Sequence, residues 1–281
     1  MGRMTQRRRV TRITRQEGTA PSVRERSDVL AGEEPMEMRL NGESFSVTMR
    51  TPGHDFELVA GFLVAEGLVG SSPGQSHLST LRYCAGTDEE GNQTYNVIDA
   101  QLEGGDLVGV GRRRQVVTTS ACGICGTTSI DAVEKSLPAQ AETAPLEMSA
   151  ETLLGLPDAL RQRQQVFEST GGVHAAGLFD AQGELLCLRE DVGRHNAVDK
   201  VVGWAYLQEK LPLRGTVLQV SGRASFELVQ KAALAGIEVL SAVGAPSSLA
   251  ADLGDRSGVT VAGFSRGRSI NLYTHQHRIA V

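Results

Sequence analysis

Thr216-Val-Leu-Gln-Val-Ser-Gly-Arg-Ala-Ser-Phe-Glu-Leu-Val-Gln-Lys-Ala-Ala-Leu-Ala-Gly-Ile-Glu-Val-Leu-Ser-Ala-Val243 decides the fold. A short run of β-formers (Thr216 to Val220) enters a Ser-Gly-Arg turn, a helix-period segment follows from Ser225 to Ala235, and a second apolar run returns over Glu238 to Val243. Strand, helix, strand in this rhythm predicts neighbouring strands joined by a covering helix. The pattern extends both ways. Upstream, Val173 to Phe179 and Glu184 to Arg189 read as strands paired across Ala181-Gln-Gly183, followed by a helix from about His195 to Glu209. Downstream come a short helix over Ser247 to Gly254 and strands Thr260 to Phe264 and Ser269 to Tyr273. The expected C-terminal unit is therefore a mostly parallel sheet covered by helices on both faces, a three-layer αβα arrangement that binds ligands at the carboxyl ends of its strands.

Four turns at those ends carry glycine, serine and arginine: Asp191-Val-Gly-Arg194-His195, Ser221-Gly222-Arg223-Ala-Ser225, Gly244-Ala-Pro-Ser-Ser248 and Phe264-Ser265-Arg266-Gly267-Arg268-Ser269. Helix N-termini offer free N–H groups, glycine admits close approach and arginine supplies a bidentate fork. Together the turns read as a phosphate or pyrophosphate site. Walker and G-x-G-x-x-G loops are absent, so ordinary ATP or NAD binding is not indicated.

Further upstream, Thr118-Thr-Ser-Ala-Cys122-Gly-Ile-Cys125-Gly126 places two thiols two residues apart among small residues, an arrangement suited to sulfur chemistry on an accessible loop. A zinc knuckle and a thiol-disulfide oxidoreductase share this spacing. The other two cysteines, Cys84 and Cys187, stand alone, Cys84 reading as a small core residue. Arg112, Arg113 and Arg114, just upstream, could lower a thiol pKa, dock an acidic partner, or form a plain basic turn.

The N-terminal part reads as a smaller α+β domain. Met36 to Met49 forms a hairpin about Asn41-Gly42, Thr51-Pro-Gly-His54-Asp55 caps a buried helix ending at Gly67, and Glu57 and Glu66 on that helix are expected to be surface or interface charges. Short strands are expected near Cys84 and over Tyr95 to Leu102. Leu137 to Met148 reads as a linker and Ala150 to Phe167 as a helix bent near Pro157. Six arginines without an acid in the first fifteen residues predict a solvated, unstructured tail. The expected division is 1–30 tail, 31–145 N-terminal domain with the thiol loop, and 146–281 C-terminal domain.

With 40% hydrophobic and 22% charged residues, the 281-residue chain has the composition of an ordinary globular protein, and its formal charge of −5 argues against general nucleic-acid binding. Four cysteines do not make a disulfide framework, which suggests a reducing, cytoplasmic setting, and no apolar run approaches ~18 residues, so no membrane span is expected.

The segments Thr51 to Leu63, Thr119 to Gly126, Thr170 to Gly177, Arg189 to Lys200, Ser221 to Glu227 and Phe264 to Ser269 together resemble the formate dehydrogenase accessory sulfurtransferases, the FdhD family. The resemblance implies that a cysteine desulfurase loads a persulfide onto Cys122, with Cys125 assisting. The sulfur would then pass to the molybdenum or tungsten of a bis-molybdopterin guanine dinucleotide cofactor that serves formate dehydrogenase. It also implies that Phe264, Ser265, Arg266, Gly267, Arg268 and Ser269 hold the guanine dinucleotide, of which GDP is a fragment, that the C-terminal domain is similar to the cytidine deaminase fold, and that the chain forms a homodimer. Ser221, Gly222, Arg223 and Arg194 complete the expected cofactor-binding set. His174 either lines that pocket or is a hydrogen-bonded core histidine. Deamination is not supported, because His174-Ala-Ala176 lacks the carboxylate that a zinc deaminase motif requires.

Overall fold

In the computed structural model, the central strands of the C-terminal sheet fall within a residue or two of where the periodicity puts them. The structure describes residues 3–15, 17–18, 20–70, 75–84, 86, 91, 95–104 and 146–281. The Cys122 and Cys125 loop, Arg112 to Arg114 and the greater part of the 137–148 linker lie outside the described residues.

The N-terminal half begins with β1 (Thr5–Thr14) and β2 (Ser22–Ala31), an antiparallel pair. The unstructured tail expected over 1–30 is thus corrected to a two-stranded ribbon. Its threonine, valine and isoleucine residues supply β-propensity that the arginine count obscured. Then come β3 (Glu34–Leu40), β4 (Glu43–Arg50), α1 (Asp55–Ala65), β5 (His77–Tyr83) and β6 (Val97–Glu103), the strands forming a sheet of order β4-β3-β6-β5. Asn41 and Gly42 both have positive φ, at 51° and 87°, as a two-residue hairpin of this twist requires.

The C-terminal half contains β7 (Met148–Ser149), α2 (Ala150–Arg161), α3 (Gln165–Thr170), β8 (His174–Asp180), β9 (Leu185–Asp191), α4 (Arg194–Leu207), β10 (Thr216–Val220), α5 (Phe226–Leu234), β11 (Val239–Ala242), α6 (Ser248–Ser257), β12 (Thr260–Gly263), β13 (Asn271–Leu272) and β14 (Ile279–Ala280). The helix expected over Ala150 to Phe167 is two helices. Pro157 is buried inside α2, and the break falls at residues 162–164 instead.

The six-stranded sheet has the order β13-β12-β11-β10-β8-β9. Only β10, β11 and β12 pair parallel; β8 runs antiparallel to both its neighbours, and β13 antiparallel to β12. The sheet is therefore mixed rather than mostly parallel, because the tight β8–β9 hairpin at one side and the short return of β13 at the other need no helical crossover. Alternation sorts the strand residues to two faces. Leu218, Val220, Leu240 and Val261 join the core beneath α4, α5 and α6, while Val217, Val239, Ala175 and Phe179 face Leu153, Leu156 and Leu160 of α2. Helices thus cover both faces.

Helix α1 belongs by sequence to the N-terminal half, yet Leu58, Val59, Ala60, Leu63 and Val64 are buried on several sides of it, between the four-stranded sheet and α4. One hydrophobic core therefore runs from Met36 to Val261 across the expected domain junction. The two helices touch backbone to backbone. A Cβ on Gly61 would stand 2.6 Å from the Asp199 carbonyl carbon, and one on Gly203 would stand 2.7 Å from the Gly61 nitrogen.

Candidate functional site

The sheet register brings the strand-end turns together. Val220 pairs with Ala242 and with Ala176, His174 pairs with Asp191, and Ser241 pairs with Ala262, so β9, β10, β11 and β12 finish at one edge where β8 begins. Every described segment assigned to the anion site from sequence lies at this edge, with the N-termini of α4, α5 and α6.

Backbone bonds lace the turns into a rim. Ser221 N donates to Ala175 O (3.0 Å), Gly244 N to Gly222 O (2.9 Å), Phe264 N to Gly244 O (3.0 Å) and Ser265 N to Ala242 O (3.0 Å). Gly244 is required by this lacing, since a Cβ there would meet the Arg223 backbone at 3.0 Å. The Ser221 hydroxyl accepts from Ala175 N at 2.9 Å and lies 3.4 Å from His174 Nδ1. His174 is thus hydrogen-bonded and stands at this edge. A Cβ on Gly222 would stand 3.5 Å from Arg194 Cδ and 3.7 Å from His174 Nδ1, which places both side chains over this glycine.

The loop after β12 turns at Gly267, whose φ is 70°, and holds Phe264 at φ 54°, a conformation costly for a side chain of that size. Phe264, Arg266 and Arg268 are exposed, with the Arg266 guanidinium 5.9 Å from the Phe264 ring. Ser265 is buried, and its hydroxyl, like Arg194 Nε, has no hydrogen-bond partner among the described residues. The helix caps point the same way. Neither Gly193 before α4 nor Ser225 before α5 gives a side-chain oxygen to the first turn, whereas Ser247 before α6 accepts from Ala250 N. Among the described residues, two helix starts thus lack a side-chain cap beside two polar atoms without partners.

The charge at the rim is set by arginine. Burial and the neighbouring Arg194 push the His174 pKa down, and burial with Lys231 and Arg194 pushes His195 down to about 3, so both imidazoles are neutral near pH 7. His195 Nε2 lies 3.0 Å from Glu227 and 3.3 Å from Ser225 Oγ. Arg194, Arg223, Arg266 and Arg268 supply the guanidinium groups of this edge, and the arrangement can hold an anion.

The residues that brace this edge were missed as a group. Asp191 is fully buried; its carboxylate accepts from Thr51 N (3.1 Å), Gly193 N (2.8 Å) and Asn196 Nδ2 (3.0 Å) and pairs with Lys200 Nζ at 2.7 Å. Lys200 donates on to Thr51 O at 2.9 Å, and Val192 N donates to Thr51 Oγ1 at 3.1 Å. This clasp fixes the loop before α1 against the start of α4. Arg50, also fully buried, makes a forked pair with Asp55 at 3.1 and 3.0 Å that sets the same loop. The available signal was Lys200, a lysine within the mainly apolar stretch Ala197 to Ala205 of α4.

Glu57, expected as a surface or interface charge, is an interface one: it is a partly buried partner of Arg189, whose Nη2 donates to it at 2.7 Å. Burial pushes that carboxyl up, but bonds and charge from Arg189 and His54 outweigh it and hold the pKa at about 2. The two cysteines in the described residues are poor sulfur acceptors by position. Cys187 is buried and its thiol is pushed up to about 12, while Cys84 is half-buried just past β5. No helix among the described residues is long and apolar enough to cross a membrane.

Comparison with known proteins gives a consistent picture over the full length. The Sulfur carrier protein FdhD of Streptomyces avermitilis is 53% identical over 283 residues, covering 100% of this chain and 98% of the relative. That of Nocardia farcinica is 51% identical (99% and 96% covered), and that of Sulfolobus acidocaldarius 41% identical (90% and 91%). A solved protein from Desulfotalea psychrophila, described as a candidate formate dehydrogenase accessory protein, shares the fold with a TM-score of 0.69 at 23% identity, covering 99% of this chain and 100% of that one. The model of the FdhD/NarQ family matches residues 31–280, and the chain belongs to that family.

Proposed function

We propose that the protein is a sulfur carrier for formate dehydrogenase. It accepts persulfide sulfur from a cysteine desulfurase on Cys122, with Cys125 as assisting thiol, and hands it to the molybdenum or tungsten of a bis-molybdopterin guanine dinucleotide held as substrate. The observation that carries this reading is the convergence of Arg194, Ser221 to Arg223 and Phe264 to Ser269 on one strand-end edge, with helix starts lacking a side-chain cap and polar atoms without partners among the described residues there. That set suits the diphosphates and guanine of such a cargo better than it suits a thiol-disulfide oxidoreductase, which has no use for an anion rim. The names of the full-length relatives support the same activity. A homodimer, and kinship of the six-stranded half with the cytidine deaminase fold, belong to the same proposal.

The chain's own part in the chemistry is to keep Cys122 as thiolate, the species that attacks a donor persulfide, and to fix the cargo while the sulfur is delivered. Intact mass after incubation with a cysteine desulfurase and cysteine tests the reading. A gain of sulfur that disappears in Cys122→Ala is expected. Tightly bound zinc with no sulfur uptake would instead make the cysteine pair a structural knuckle.

A further inference from the structure

The β1–β2 ribbon carries a charge pattern that its own folding does not explain. Residues 3–31 contain eight arginines, no lysine and three carboxylates, in a chain of formal charge −5. The antiparallel register puts Arg8, Arg12, Arg24 and Arg26 on one face, with Arg12 directly opposite Arg24. Like charges directly opposite on a strand pair are destabilising. Asp28 stands directly opposite Arg8, bonds Arg26 at 2.7 Å and feels the charge of Arg12, and Glu25 pairs with Arg9 on the other face at 3.2 Å; among the described residues no carboxylate makes a close ion pair with Arg8, Arg12 or Arg24. On that other face, Ile13 and Val23 are also opposite one another and stand 68% and 63% exposed.

The ribbon is rooted beside the anion rim. Gly32 N donates to Met4 O at 2.7 Å, and β2 packs on α3. A Cβ on Gly172, two residues before His174, would stand 3.3 Å from Ala31 Cβ. The family model begins at residue 31, and the Streptomyces avermitilis relative aligns with the whole chain, ribbon included.

We propose that this arginine ribbon docks an acidic protein surface, that of the apoenzyme receiving the cargo held at the adjacent edge. The proposal rests on the sulfur-carrier reading for the identity of that apoenzyme. Arginine forks match carboxylates bidentately, and arginine beside exposed aliphatic side chains is the composition of a protein interface. Residues 3–31 contain no aromatic side chain on which bases could stack, and Glu17, Glu25 and Asp28 would oppose a polyphosphate. They also lack the lysines and large apolar anchors of a membrane-surface segment.

The test measures binding of the full chain to purified apo-formate dehydrogenase at low and physiological salt. Arg8→Gln/Arg12→Gln/Arg24→Gln is expected to bind at least about tenfold more weakly with a flatter salt dependence, and the matching triple lysine variant to recover part of the loss. Sulfur uptake by intact mass and the melting temperature should stay at the wild-type values, which separates a failed dock from a failed carrier or a failed fold. Unchanged affinity in the glutamine variant, or no binding by the wild type, overturns the proposal. So does arginine-dependent binding to a DNA duplex or to phosphatidylglycerol vesicles at physiological salt while apoenzyme binding is unaltered.

Discussion

Gly61→Ala tests the backbone contact that joins the two halves. The added methyl would meet the Asp199 carbonyl group, with its carbon at 2.6 Å, and the Gly203 nitrogen at 2.8 Å. Carbon-to-oxygen contacts in packed helices sit near 3.3–3.6 Å, so α1 and α4 must part by roughly an ångström. Overpacking of this kind costs about 1–3 kcal/mol, and the upper end applies because both obstacles are backbone and cannot rotate away. Alanine's better helix propensity returns about 1 kcal/mol, leaving a net loss of about 2 kcal/mol or more. That lowers Tm by about 4–8 °C in a chain of this size. Gly155→Ala is the internal control. It lies exposed within α2 with nothing inside 4 Å of its added methyl, so the same substitution should stabilise by about 0.5–1 kcal/mol. Thermal and urea unfolding of the two variants should therefore move in opposite directions. A Gly61→Ala protein as stable as wild type would refute the direct-contact reasoning.

Other outcomes follow from the site. Arg266→Ala/Arg268→Ala should weaken GDP binding in calorimetry at least about tenfold while sulfur uptake by Cys122 persists, since charge-assisted bonds contribute about 1.5–3 kcal/mol each; unchanged affinity would move the site toward Ser221 to Ser225. The Glu57–Arg189 pair makes stability pH-dependent: a carboxyl held at about 2 against an ordinary 4.5 contributes fully above 4.5 and is lost as pH falls toward 2. Discounted for partial exposure, the loss is about 1–2 kcal/mol, and it should be missing from Glu57→Gln in acid unfolding curves. Cys187, buried with its thiol near 12, should alkylate on the order of a hundredfold more slowly than Cys84, and equal rates would contradict the burial.

The legible parts of the fold are those specified by neighbours in sequence. Strand Thr216–Val220 is found where the β-formers place it, and the helix expected over Ser225 to Ala235 spans Phe226–Leu234, because period and turn residues act within a few positions. Strand direction was not legible for β8, whose place between β9 and β10 depends on a hairpin closing back onto the sheet. Nor were partners far apart in the chain: Thr51 and Asp191 meet across 140 positions, and Glu57 and Arg189 across 132. Composition misled at the start, where six arginines in fifteen residues suggested solvation and the threonines and aliphatics among them went unread. The site was half legible. Its turns could be named singly, but only the register shows that they share an edge.

The same register explains why the bracing lies where it does. An anion rim built from four turns stays in shape only if the strands ending there and the helices starting there keep their relative positions. The Asp191, Lys200 and Thr51 clasp fastens the start of α4, and the Gly61 and Gly203 contact fastens its middle to α1. Breaking one member of such a buried pair leaves an uncompensated charge, which is costly. The described part of the N-terminal half therefore acts on the rim through α4. Recognition of an anion at such an edge is only as good as the packing behind it, which is what the buried clasp and the glycine contact supply.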